Sequence, residues 1–366
     1  MRRMAENASE RIVLTGISSR AWEHPADRGA LVALRKIRGF DSVLRKISGF
    51  MTERSLRLLL LGSSVKVDTR QFPRVFRVYT QAATALDVED LPDLYISANP
   101  FLNAMAVGLD RPVIVVNSGL IDLLDDDELR FVLGHELGHV GSGHALYRTM
   151  FLLLTSLSST FLSIPFSYLG IRALLAALSE WSRKSELSAD RAGLLACQDT
   201  DAALRVHMKL ASGGHIAELD TDAFLEQAEE YAEDEDIRDL VLRVLLVENM
   251  THPFAVVRAA ELRRWVGNGE YHLVLQGSYP RRVDDADARL SDDVMGAAAS
   301  YQDQFTRAED TISRTFGDIA NGMGAVGGWV AGRVRDATGT RPDESWPWGR
   351  DERTDRPGRP DDGPRW

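Results

Sequence analysis

Between Gly134 and His144 the chain reads GHELGHVGSGH, and no other stretch constrains its fold as tightly. Three of the eight histidines lie here. His135 and His139 are four residues apart, so on a helix their imidazoles leave the same face and can converge on one point. Glu136 projects near that point without having to bind there. Two nitrogens on zinc, with a carboxylate beside the open side to take a proton from zinc-bound water, are what a zinc hydrolase requires. A histidine pair on a helix is often only packed or exposed. The apolar lead Phe131-Val132-Leu133 and the small residues after His139 instead fit a buried active helix.

A third ligand has to come from elsewhere. His144 lies one residue too early for the metzincin spacing, with Ser142 where that pattern has glycine, and on a continuing helix it would sit about 140° from His139. Replacing it by alanine is therefore expected to leave zinc affinity nearly unchanged. Cys197, the single cysteine, reads as a small buried hydrophobe. In RKSELSADRAG, Glu186 and Asp190 are four apart and can face the same way. One can bind zinc while the other accepts a hydrogen bond from a ligand histidine's remaining N–H. The plainer reading is a solvated acidic face beside Arg183, Lys184 and Arg191. His24, His207, His215 and His272 match no metal pattern and read as surface or packing residues.

Between the two motifs, residues 149–171 carry no charge. About 20 apolar residues can span a bilayer. His139 before the stretch and Glu186 after it would nevertheless share one zinc at about 2 Å each. A single crossing would separate them, and two would need roughly 40 apolar residues. A helical hairpin breaking near Ser163 to Pro165 is expected, packed on the domain or dipping into one leaflet.

The rest of the chain sets the frame. Residues 1–90 read as a helical lead-in. From Leu91, the runs DLYIS, NAMAVGL and PVIVVN suggest a small antiparallel sheet. Asp125 and Glu128 form a capping box at the start of the histidine helix. Residues 277–340 read as a linker with a candidate amphipathic helix (Phe305, Ile312, Phe316, Ile319), and 341–366 as a disordered tail. The net charge of −11 excludes nucleic acid as a general partner. One cysteine suits a reducing compartment, and the N-terminus lacks the apolar run of a secretory signal. A cytoplasmic location is expected, with 149–171 and 305–334 as candidates for peripheral contact with the inner membrane face.

HELGH followed by SELSADRAG resembles the zinc metallopeptidases that include HtpX and the CAAX prenyl endopeptidases. NPFLNAMAVGL, PVIVVNSGLIDLL and THPFAVVRAAEL extend the likeness, and HPADRGALVALRKIRGFDSVL resembles the short members without N-terminal transmembrane helices. The resemblance covers residues 20 to 270. It implies an α+β, mainly helical, zincin-type metalloprotease core over 91–276, with an apolar hairpin insert at 149–178. It also implies one zinc ion held by His135, His139 and Glu186, Glu136 as general base, and Asp190 behind a ligand. Asn103, Ala104, Met105 and Ala106 would form the strand against which a polypeptide substrate pairs. His252 would stabilise the oxyanion, and Arg258 would fix the acidic residues. The implied activity is endopeptidase cleavage of unfolded or membrane-exposed polypeptide. The rival is a catalytically silent or latent zinc-binding chaperone or adaptor of the same fold.

Overall fold

In the computed structural model of the chain, residues 11–35, 53–161, 168–233 and 254–286 are described, with 294, 295 and 298; for 156–161, 168–174 and 232–233 only the backbone is. The chain divides into two compact units, Met1–Ile312 and Ser313–Trp366. The second unit lies outside the described residues, as do the amphipathic segment from Phe305 and the tail.

The first helix, α1 (Pro25–Arg35), begins with proline, whose missing N–H costs nothing at a helix start. The His24 ring caps it, Nδ1 accepting the Ala26 N–H at 3.1 Å. Helix α2 (Glu53–Ser63), strand β1 (Val65–Lys66) and helix α3 (Pro73–Ala85) follow. Next come β2 (Leu94–Ser97), β3 (Ala104–Val107) and β4 (Val113–Asn117), whose β-rich runs match the sequence expectation. After the short α4 (Ser118–Leu123) come α5 (Asp126–Gly141), α6 (His144–Phe161) and α7 (Tyr168–Cys197). Helices α8 (Thr200–Ser212), α9 (Thr221–Glu233), α10 (Ala255–Gly267) and α11 (Glu270–Leu275) complete the described part.

The architecture is mainly helical with one small sheet, as expected. The sheet is mixed, however, rather than wholly antiparallel. Its order is β1-β2-β4-β3, with β2 and β4 parallel and the other pairs antiparallel. Three consecutive strands alternate in direction, but β4 slots between β2 and β3, so it must run the same way as β2. That insertion leaves β3 on the edge, packed beside α5 and α6.

Helices α5 and α7 form the most extensive contact between elements. Their seam is lined with small residues. A Cβ built on Gly138 would lie 2.4 Å from the Ala192 Cβ, and one on Gly134 2.3 Å from the Ala196 Cβ. Only glycine permits this approach. The capping box at the α5 start is present, with Asp125 accepting N–H groups from Asp127 and Glu128 while Glu128 accepts the Asp125 N–H. Helices α6 and α7 pack together through Tyr147, Met150 and Leu154 against Ala177, Leu178 and Trp181. They flank the expected hairpin break, which falls in residues 162–167, outside those described. No described helix is long and apolar enough to cross a membrane.

Candidate metal centre

The glycine seam sets the distance at which α7 faces α5, and the ligand candidates meet across it. His135 and His139 on α5 and Glu186 on α7 are all buried, each offering a ligand atom within 4.8 Å of the others. His135 Nε2 lies 3.4 Å from Glu186 Oε2, and His139 Nε2 lies 3.3 Å from Glu186 Oε1. Ligand bonds of about 2.0–2.2 Å in a tetrahedral arrangement put donors roughly 3.3–3.6 Å apart, so these separations suit a zinc-sized ion. Two imidazoles and a carboxylate also match the donor set of catalytic zinc sites, which keep a fourth position open.

Glu136 is 2% exposed, and its Oε2 has no hydrogen-bond partner among the described residues. A carboxylate oxygen buried without a partner is costly, and it marks a place where a missing water or ion belongs. Burial pushes the Glu136 carboxyl pKa upward, partly offset by His135, Arg148 and the Ala106 N–H. That backbone contact ties the carboxylate to strand β3.

Asp190 stands one turn after Glu186 and contacts the other nitrogen of His135, Nδ1 to Oδ1 at 3.0 Å. Arg258, on α10, donates to both oxygens of Asp190, at 2.7 Å from Nε and 2.5 Å from Nη2. Its Nη1 reaches Glu186 Oε2 at 3.1 Å. Burial opposes the Asp190 charge, but Arg258 and His207 hold its pKa well below the carboxylate range. For His135, burial works against protonation, yet hydrogen bonds accepted by Asp190 and Glu186 raise its pKa to about 9 in the metal-free chain. The sequence-predicted residues Asp190 and Arg258 therefore both gather at the site. His252 lies outside the described residues.

His144 arrives by a route that helical spacing could not show. Helix α5 stops at Gly141, and the chain turns through Gly143 in the left-handed region (φ +70°) before α6 begins at His144. The turn folds His144 back, placing its Nδ1 3.0 Å from His139 Nδ1, the nitrogen opposite the ligand atom. It is a neighbour of a ligand and stands outside the donor triad.

Arg148, one turn further along α6, is 8% exposed and went unnoticed in the sequence. Its Nη1 donates to His139 Nε2 at 2.7 Å and to Glu186 Oε1. In the metal-free chain this cation supplies positive charge to the two ligand atoms. With Arg258 it also lowers the cost of burying Glu186.

The remaining histidines and the cysteine sit as expected. His207 is fully buried against Phe131, while His215 and His272 are exposed. Cys197 is 1% exposed, and burial pushes its thiol pKa up to about 12.

Asn103 leads into edge strand β3, where Ala104 and Ala106 are buried and Met105 is half-buried. A cavity of about 410 Å³ opens beside His135 and Glu136. Its walls include Asn103, Ala104 and the apolar residues Leu102, Leu120, Val132 and Phe254.

A buried two-histidine helix, a glutamate delivered by a second helix and a free strand edge beside them define a metallopeptidase domain. The chain belongs to Peptidase family M48, which it matches over residues 69–266. It is 36% identical to the plastoglobule-localized metallopeptidase 48 of Arabidopsis thaliana chloroplasts over 261 residues, 70% of this chain and 75% of that protein. It is 30% identical over 137 residues to the protease HtpX of Xanthomonas euvesicatoria pv. vesicatoria, covering 36% of this chain and 46% of that one. An HtpX homolog of Tropheryma whipplei is 32% identical over 84 residues, 22% of this chain and 28% of its own. Against these HtpX proteins the chain spans less than half of their length. No solved structure gives a significant match.

Proposed function

We propose that the chain is a zinc-dependent endopeptidase in which His135, His139 and Glu186 hold one zinc ion and Glu136 is the general base. The observation carrying this reading is the meeting of three buried ligand atoms beside the unpartnered Glu136 Oε2. When bound, the metal supplies a Lewis acid that polarises the scissile carbonyl and acidifies a water. The chain's own residues do the rest. Glu136, its proton affinity raised by burial, takes the proton of the attacking water and passes it to the departing amide nitrogen. Asp190 accepts from His135 Nδ1, which leaves Nε2 free to ligate, and Arg258 keeps Asp190 charged and in place. His252 is assigned to the oxyanion.

Asn103, Ala104, Met105 and Ala106 are assigned to substrate pairing. The Asn103 carbonyl accepts the Asn117 N–H, so alternation along an antiparallel ladder turns the backbone groups of Ala104 and Ala106 toward the open edge, where the Ala106 N–H already donates to Glu136. Addition of a strand there requires an extended peptide, which favours unfolded or exposed segments over folded ones. The cavity beside Glu136 suits an apolar side chain next to the scissile bond.

We further infer a cytoplasmic chain with at most peripheral membrane contact; the Arabidopsis relative is named for the plastoglobule. Exposed Leu58, Leu59 and Leu61 on α2 support such contact, alongside the 149–171 segment.

The test compares wild type with Glu136→Gln, both zinc-loaded, on an unfolded protein such as casein. The variant should keep its zinc and lose cleavage by several orders of magnitude. Equal turnover would sink the mechanism, and zinc-loaded wild type without cleavage would favour the silent chaperone or adaptor.

A further inference from the structure

We propose that ligand His139 is held in register by a buried chain, His144–Asp27–Ser188, which makes helix α1 part of the metal centre. This rests on the metal reading above. Asp27 lies outside residues 69–266, the span matched to the family, so the family assignment says nothing about it.

The chain is continuous. His139 Nδ1 meets His144 Nδ1 at 3.0 Å, and His144 Nε2 meets Asp27 Oδ2 at 3.0 Å. Ser188 donates its hydroxyl to the same Asp27 oxygen at 2.6 Å and accepts the His24 N–H at 2.8 Å. His139, His144, Asp27 and Ser188 are at most 2% exposed. Trp181 packs edge-on against the His144 ring at a centroid distance of 5.5 Å, which holds its plane.

Only one direction of donation is consistent. A His139 that ligates through Nε2 carries its proton on Nδ1, which must then donate to His144 Nδ1. His144 thus carries its own proton on Nε2, and that N–H points at the Asp27 carboxylate, an acceptor only. The contact at the other end of the His139 ring agrees. Arg148 donates to His139 Nε2, so that nitrogen is already an acceptor in the metal-free chain. Asp27 thereby fixes, through His144, the tautomer and ring plane of a ligand it does not touch.

A structural role alone accounts poorly for Asp27. An acidic residue in the first turn of a helix is favourable at the surface, but this one is 1% exposed, and its Oδ1 has no hydrogen-bond partner among the described residues. A half-satisfied buried carboxylate costs stability. Its one bonded oxygen is the one facing the histidine chain.

The inference changes the expectation for His144→Ala, which helical spacing had set near zero. The experiment uses the full chain, with zinc affinity from chelator competition, the absorption bands of the cobalt-substituted protein, and the metal-free melting temperature. Asp27→Asn and His144→Ala should bind zinc about 10–100-fold more weakly and shift the cobalt bands. Asp126→Asn, which breaks an ion pair with Arg74 at the start of α5, should do neither. The metal-free melting temperature of Asp27→Asn should fall no further than that of Asp126→Asn, whereas a purely structural Asp27 would lower it without moving the cobalt bands. Affinities within twofold of wild type and unchanged bands would overturn the proposal. Should Asp27→Asn fail to fold, Ser188→Ala and His144→Ala read the same chain, and wild-type affinity in both would be equally fatal. A wild type that binds no metal would defeat the zinc reading itself, a separate outcome.

Discussion

The two candidate ligand histidines sit one helical turn apart and are held in opposite ways. His135 leans on a charged network: Asp190 accepts from its ring, and Arg258 ties Asp190 to Glu186. All of those residues come from the family-matched span. His139 leans on another imidazole and, beyond it, on a carboxylate from the N-terminal helix. The first arm contains two buried acids against one guanidinium, so its integrity is bound up with folding. The second is a string of single hydrogen bonds, so its effect should fall on the metal more than on the fold. One buried site can thus be secured by charge on one side and by tautomer on the other.

Glu186 belongs to both arms, and its removal should have the largest effect. Glu186→Ala deletes a ligand and leaves Arg148 and Arg258 without a shared partner. Zinc affinity measured against a chelator should drop by several orders of magnitude, further than for any variant of either arm. A smaller loss than that of His144→Ala would reverse the hierarchy of the site.

Arg258→Met separates the arms. It strands Asp190 and Glu186 with one fewer buried counter-charge, and breaking a buried pair from one side costs about 3–5 kcal/mol. Metal-free Arg258→Met should therefore melt well below wild type, while metal-free His144→Ala should not share that loss. Similar melting temperatures for the two would erase the contrast between an arm built on a guanidinium–carboxylate network and one built on a string of single hydrogen bonds.

The smallest effect concerns His207, behind Asp190. Burial lowers its pKa to about 4, with Asp190 opposing that shift and Arg258 and His135 adding to it. Its folded pKa lies below the unfolded value of 6.5, so protonation opposes folding. Stability is complete above pH 6.5, falls as pH drops toward 4, and changes no further from this group below that. The full swing is about 3 kcal/mol. Both ring nitrogens lack hydrogen-bond partners among the described residues, so His207→Leu sacrifices none. Denaturant melts of metal-free protein at pH 7 and near pH 4.5 should show wild type losing more stability than His207→Leu. Equal losses would mean that His207 is not the sensor. His24, lowered to about 4 chiefly by burial, adds a loss of the same sign in both proteins.

The residues around His135 were legible in the sequence, and the His144–Asp27–Ser188 chain behind His139 was not. His135, Glu136 and His139 announce themselves because helical spacing alone converges them. The same four-residue logic brings Glu186 and Asp190 to one face of a second helix, but which of them would bind the metal, and the part of Arg258, came only with the family resemblance. Asp27 and His144, by contrast, are 117 positions apart, and no periodicity joins them. The angle calculated for His144 assumed a continuing helix, whereas Gly143 ends it and reverses the geometry. Arg148 stands immediately before the uncharged 149–171 stretch, and no spacing rule ties it to the histidine motif. The parallel pairing of β2 with β4 could not be read from three short runs, because strand order depends on where each strand inserts. Gly134 and Gly138 of GHELGH carry no chemistry of their own, and only their approach to Ala196 and Ala192 shows how close the two helices stand.

The proposed site places one metal ion between two imidazoles and a carboxylate. X-ray absorption at the zinc edge of the loaded wild-type chain tests it without reference to activity. The expected spectrum shows one zinc per chain with two imidazole ligands at about 2.0–2.1 Å and the remaining donors oxygen, a pattern that Glu186→Ala should abolish and His144→Ala should preserve at saturating zinc. A third imidazole that disappears in His144→Ala would contradict it.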